Sequence, residues 1–206
     1  MSSTPEHWNR IYRETEETRL GWYEEDPSPV FELLRQVDGW EESSVFLPGA
    51  GTSVLAERLL KAGSRLILND LSPVALERLK ARLTAHDQRI VWNCQDIARP
   101  LGNDIPEVDL WIDRAVLHFL TGQDHIRGYF RNLDLKLKPG GYALFAEFAP
   151  HGAPQCAGLE LHRYSVEELS ERLGSCYMMI DSFEHTYINP AGAPRPYLYA
   201  LFRRQN

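Results

Sequence analysis

Val45-Phe46-Leu47-Pro48-Gly49-Ala50-Gly51 decides the fold. Three apolar residues run into a proline and a small-residue turn, and the Val54-Leu55 and Leu59-Leu60 pairs beyond it have helical spacing. Strand, tight turn and helix therefore succeed one another, and bare glycine backbone at a helix N-terminus lets a ligand come close. Downstream the unit repeats. Arg65–Asn69 alternates into a second buried strand, and Ser72-Pro73 caps a helix carrying Val74, Leu76, Leu79 and Leu83.

Further strands are expected at Ile90–Cys94 and Val108–Ile112, a helix over Asp124–Leu137 ended by Pro139-Gly140-Gly141, and a fifth strand over Tyr142–Phe148. Ser165-Val166-Glu167-Glu168 is a capping box opening a helix that stops near Gly174. Two aromatic-rich segments follow, Tyr177–Tyr187 and Tyr197–Phe202, with Asn189–Pro196 as their turn. Upstream, Asp26 before Pro27 and Pro29 starts a helix running to about Val37. Strands alternating with helices imply an α/β fold with a mostly parallel sheet, helices on both faces and a C-terminal antiparallel hairpin.

Composition narrows the function. The 206 residues fit one domain, and 43% apolar with 25% charged residues is globular composition. A net charge of −7, with no basic cluster to offset it, argues against nucleic acid as a partner. No run approaches 18 apolar residues, so no membrane association is expected. Cys94, Cys156 and Cys176 have neither disulfide nor zinc spacing, which suits a reducing cytoplasm. His151, His162 and His185 show no ligand spacing, so no metal is expected.

Asp70 ends the second strand 21 positions after Gly49, where a carboxylate can accept from both hydroxyls of a ribose. Asp96 follows the third strand, placed to accept from an adenine amine while the Ile97 backbone meets the ring. Each acid read alone is equally a solvated turn cap. A nicotinamide-binding turn would place a third glycine where Val54 stands.

Five pieces in this order carry a resemblance: Val45–Gly51, Leu68-Asn69-Asp70-Leu71-Ser72, Cys94-Gln95-Asp96-Ile97, Val108–Leu117 and Leu137-Lys138-Pro139-Gly140-Gly141. Together they resemble the class I S-adenosylmethionine-dependent methyltransferases, from about Trp8 to the C-terminus. The resemblance implies a Rossmann-like, seven-stranded sheet in one domain, with residues 1–40 as an N-terminal lid and helix and 41–206 as the sheet core. It implies S-adenosylmethionine as cofactor, held by Trp22, Gly49, Ala50, Gly51, Asp70, Leu71, Asp96, Ile97, Asp113 and Arg114. Leu47 departs from it, standing where the wider family has an acid near the cofactor's amino group. The Pro48 turn, Trp111-Ile112-Asp113-Arg114-Ala115 and the aromatics Trp8, Tyr12, Trp22 and Tyr23 look closest to the thiopurine methyltransferase branch.

Methyl transfer from a sulfonium is an in-line displacement, so alignment and exclusion of water supply much of the acceleration. His118, four residues beyond Arg114, is the general-base candidate, with a hydrogen-bonded core histidine as the alternative. Arg114 equally suits a structural ion pair. Trp8, Tyr23, Glu147 and Cys156 are the expected acceptor contacts, and Ala149–Gly158 a lid. The expected acceptor is a small molecule with a thiol or other soft nucleophile. The rivals are a protein lysine, for which the acid-rich Glu14–Asp26 segment speaks, and cofactor binding without turnover, for which Leu47 speaks.

Overall fold

The computed structural model describes residues 3–205, except the side chains of residues 85–87. Strands β1 (Ser44–Leu47), β2 (Arg65–Asp70), β3 (Ile90–Cys94), β4 (Val108–Arg114) and β5 (Leu137–Phe148) pair in parallel. A short pair, β6 (Gln155–Cys156) and β7 (Leu159–Glu160), stands apart as its own hairpin. Strand β9 (Pro194–Arg204) then adds antiparallel to β5, and β8 (Tyr177–Ile188) antiparallel to β9 at the edge, giving the order β3-β2-β1-β4-β5-β9-β8. This is the Rossmann-like sheet the sequence implies. β1 has β2 on one side and β4 on the other, so a crevice opens at their carboxyl ends where the strand order switches.

Helices α2 (Ser28–Leu34), α3 (Val54–Ala62) and α4 (Pro73–Leu83) bury apolar residues against one face. α5 (Gln123–Lys136) and α6 (Val166–Leu173) cover the other. Strand alternation divides the core between the faces: Val45 and Leu47 belong to the first layer and Phe46 to the second, where its ring stacks on Trp111 at 4.3 Å. In β4, Val108 and Trp111 share the second layer, the alternation breaking at the register shift between Val108 and Leu110, where β5 carries the extra residues. From there Leu110 and Ile112 face the first layer, and Asp113 falls on the Trp111 side.

The sequence reading needs four adjustments. A helix α1 (Pro5–Glu14) precedes α2, started by Thr4, whose hydroxyl accepts from the His7 N–H at 3.3 Å. α2 stops at Leu34. β5 begins at Leu137 directly after α5, with Pro139-Gly140-Gly141 inside it, since the register shift opposite absorbs the turn. The Ala149–Gly158 stretch is not a featureless lid but runs into the β6–β7 hairpin. Among the described residues, no helix is long and apolar enough to cross a membrane.

α5 braces the segment after β3. The Asn132 amide donates to the carbonyls of Ile97 and Arg99, both at 2.7 Å, and its oxygen accepts from the Leu101 N–H at 3.0 Å. Beside it, a Cβ on Gly128 would collide with the Ala98 carbonyl. Gly128→Val is therefore expected to push α5 off this segment, costing about 1–3 kcal/mol in urea unfolding and weakening nucleoside binding at Asp96 and Ile97 by calorimetry.

Candidate active site

The turn after β1 is built for close approach. Gly49 and Gly51 have φ of +51° and +53°, and a side chain on Gly49 would strike Val116 in the segment after β4. The Gly51 N–H donates to Asp70 at 2.8 Å, and the Ser72 N–H donates to the other carboxylate oxygen at 2.7 Å. Each oxygen keeps a lone pair for a further donor. Burial lifts the Asp70 pKa to about 6, against the pull of these backbone donors.

A cavity of about 590 Å³ opens over these groups, within the range of small-ligand sites. Gly49, Asp70, Leu71, Asp96, Ile97 and Arg114 all line it, as do Trp8 and Trp22. The turn-cap reading of the acids is also true: Asp96 accepts from the Ala98 N–H at 2.9 Å while its side chain keeps 36% exposure. Ala50, Gly51 and Tyr23 line a smaller adjoining pocket that shares Trp22, Gly49 and Arg114.

The roof is the N-terminal segment. Trp8 meets Trp22 edge-on at 5.5 Å and Phe119 at 4.9 Å, and Tyr12 lies buried above Gly51. Arg114 latches this roof: its Nε lies 2.6 Å from Glu24, with both side chains at 10% exposure or less, and its Nη1 donates to the Trp22 carbonyl at 3.1 Å. The guanidinium also sits over the rings of Tyr187 and Tyr197. Arg114 thus both lines the cavity and forms the structural ion pair. The β6–β7 hairpin supplies the far wall through Gln155, Leu159 and Glu160, with His125 from the first turn of α5 nearby on the lining.

Four expected contacts lie elsewhere. Asp113, His118 and Glu147 are fully buried and none lines the cavity. Alternation explains the acids, since Asp113 faces the Trp111 layer and β5 turns Glu147 toward the same buried face. Tyr129 donates to Asp113 at 2.6 Å, as do the Val116 and Leu117 N–H groups at 3.0 and 3.2 Å. Glu147 accepts from the His118 N–H at 3.1 Å and meets its Nδ1 at 2.6 Å. Burial raises both carboxyls, Glu147 to about 8, and holds His118 down at about 3, so the imidazole is uncharged. These groups fasten the segment after β4, where Ala115 takes a left-handed φ of +68° on the cavity wall. Cys156 is half-buried in the hairpin, between lining residues but not one of them.

Sequence reasoning passed over Glu24, Phe119, His125 and Glu160. Only the start of α1, Thr4-Pro5, carried a readable local signal for this region. Among the described residues, no group of three His, Cys, Asp or Glu side chains is placed to hold a metal.

Residues 48–143 match the family described as a methyltransferase domain. No curated protein matches the chain significantly. Among solved structures, the chain is similar to an S-adenosylmethionine-dependent methyltransferase from Anabaena variabilis, with a TM-score of 0.79 at 16% identity over 98% of this chain and 93% of that one. The N-methyltransferase NodS from Bradyrhizobium japonicum, in complex with S-adenosylhomocysteine, gives 0.74 at 18% identity over 98% of both chains. The 1,6-didemethyltoxoflavin-N1-methyltransferase of Burkholderia thailandensis, with its acceptor and S-adenosylhomocysteine bound, gives 0.69 at 20% identity over 86% and 77%. Residues 48–143 thus match a methyltransferase domain, and the fold is that of solved S-adenosylmethionine-dependent methyltransferases. The carboxylate, glycine turn and cavity described above fit a nucleoside such as that of the S-adenosylhomocysteine held by two of these structures.

Two outcomes test this arrangement. The ribose role expected of Asp70 calls for the ionised carboxylate, and on it affinity for S-adenosylhomocysteine should be flat above pH 7 and weaken toward about tenfold per unit below pH 6. In Asp70→Asn that slope should vanish along with most of the affinity. Glu147→Ala, which strands the buried partners of the carboxyl, should cost more than about 2 kcal/mol in urea unfolding, whereas Glu147→Gln should cost markedly less.

Proposed function

We propose that this protein methylates a small molecule through a soft nucleophile, a thiol before other acceptors. When bound, the cofactor supplies an electrophilic methyl group on a sulfonium. What the chain contributes is position and exclusion of water: a glycine turn and two acids to orient the nucleoside, and an aromatic roof over the reacting face. The observation carrying the proposal is the cavity wall beyond the cofactor contacts. Trp8, Phe119 and Leu159 give it an aromatic and apolar part, and among the described residues no buried basic side chain lines it. His118 is shut away with Glu147 and kept neutral, so it serves as a positioning residue for the segment after β4. A thiol, ionised readily near neutral pH, is the acceptor that such a wall suits. The likeness of the Pro48 turn to the thiopurine methyltransferase branch points the same way.

Three acids of the acid-rich N-terminal stretch already face cations, which weakens its support for a lysine acceptor. Glu17 pairs with Arg82, Glu24 is buried against Arg114, and Asp26 stands 3.9 Å from Arg58. Leu47 is packed in the core, and the acid it replaces is matched nearby by Glu24, which lines the small pocket with Leu47 and Arg114. A nitrogen acceptor is the second reading, favoured by His125 at the cavity edge and by two structural neighbours named as N-methyltransferases.

Incubation with labelled cofactor and a panel of thiols, amines and peptides separates these readings. Transfer to thiols, with His125→Phe retaining at least about half the rate, is the expected result. Transfer confined to amines, with a fall of about 100-fold in His125→Phe, would replace the first reading by the second.

A further inference from the structure

The charges around the cavity are one-sided. Asp70 and Asp96 stand at the nucleoside end, and Arg99 approaches Asp96 only to 4.0 Å. Arg114 is the one lysine or arginine on the lining, and its charge is already met by Glu24 at 2.6 Å. Glu160, exposed on β7 across from Gln155, also lines the cavity, two residues before His162, whose N–H donates to the His118 carbonyl beside Phe119. Among the described residues no cation pairs with Glu160. The rings of Trp8 and Phe119, in contact with each other, line the same cavity, and aromatic faces attract cations.

An acceptor carrying a carboxylate or phosphate would meet like charge here and find no free counter-charge among the lining residues. A protonated amine would find a carboxylate and aromatic faces, in a cleft whose low-dielectric walls concentrate the field. The bound cofactor does not reverse this sign, since its sulfonium and amino group are offset in part by its own carboxylate. We propose that the methyl acceptor bears a protonated amine remote from its nucleophile, and that Glu160 selects it over anionic analogues. This rests on the methyltransferase reading of the cavity but not on which atom receives the methyl group.

The test therefore reads binding, not turnover. The protein loaded with S-adenosylhomocysteine is titrated with 2-phenylethylamine, 2-phenylethanol and 3-phenylpropanoate, followed by calorimetry and by the fluorescence of Trp8 and Trp22 in the roof. The amine should bind about tenfold more tightly than the alcohol, with the carboxylate weakest. Glu160→Gln should bring amine and alcohol within about twofold of each other, and Glu160→Lys should favour the carboxylate. Affinity for S-adenosylhomocysteine reports that each variant is folded. Raising the salt to about 0.5 M should compress the preference in the unaltered protein. Equal binding of the three probes, no binding of any at millimolar concentration, or an unchanged ratio in a folded Glu160→Gln would overturn the proposal. Failure of the thiol reading would appear instead in the labelled-methyl panel, as transfer to nitrogen with this charge preference intact.

Discussion

The site depends on the burial of two carboxyls, Asp113 and Glu147, at the ends of adjacent central strands. Neither is exposed to solvent, and protein groups meet them: the Tyr129 hydroxyl, the His118 ring, and the N–H groups of Val116, Leu117 and His118. A buried carboxyl left without partners would be destabilising by several kcal/mol, on the order of a good share of a domain's whole stability. That penalty ties the backbone after β4 to one path. The path holds Ala115 in a strained left-handed conformation on the cavity wall, and it brings Val116 against Gly49, where any side chain would clash. Two segments far apart in sequence are thereby fitted to each other.

A second buried charge does the same for the roof. Arg114 follows Asp113 but points to the opposite face, because neighbouring strand residues alternate. One acid and one base, adjacent in sequence, therefore serve opposite sides of the sheet. The acid fixes the floor of the cavity, and the base fixes the segment bearing Trp22 and Glu24 above it. An arginine suits the second of these roles, since its fork reaches a carboxylate and a carbonyl while its plane lies on tyrosine rings.

How far the sequence was legible follows from the same alternation. The strand after Ser44, the glycine turn, Asp70 and Asp96 were readable because each sits in a local pattern, apolar run followed by turn, that needs no distant partner. The parallel sheet and its antiparallel end were readable for the same reason. Asp113, His118 and Glu147 were placed at the right ends of the right strands but on the wrong side of the wall. A strand end places a residue near the cavity, but its face follows from register, which puts Asp113 with Trp111 and Glu147 with Phe145. Glu24, Phe119, His125 and Glu160 were missed because their role comes from where the roof, α5 and the β6–β7 hairpin converge, a property of the tertiary fold alone.

The roof joins two tasks in one surface. Trp8, Tyr12 and Trp22 line the same cavity as Gly49 of the glycine turn and Asp70. A substitution among those rings therefore reshapes the space open to donor and acceptor together, so neither affinity can be tuned there without touching the other.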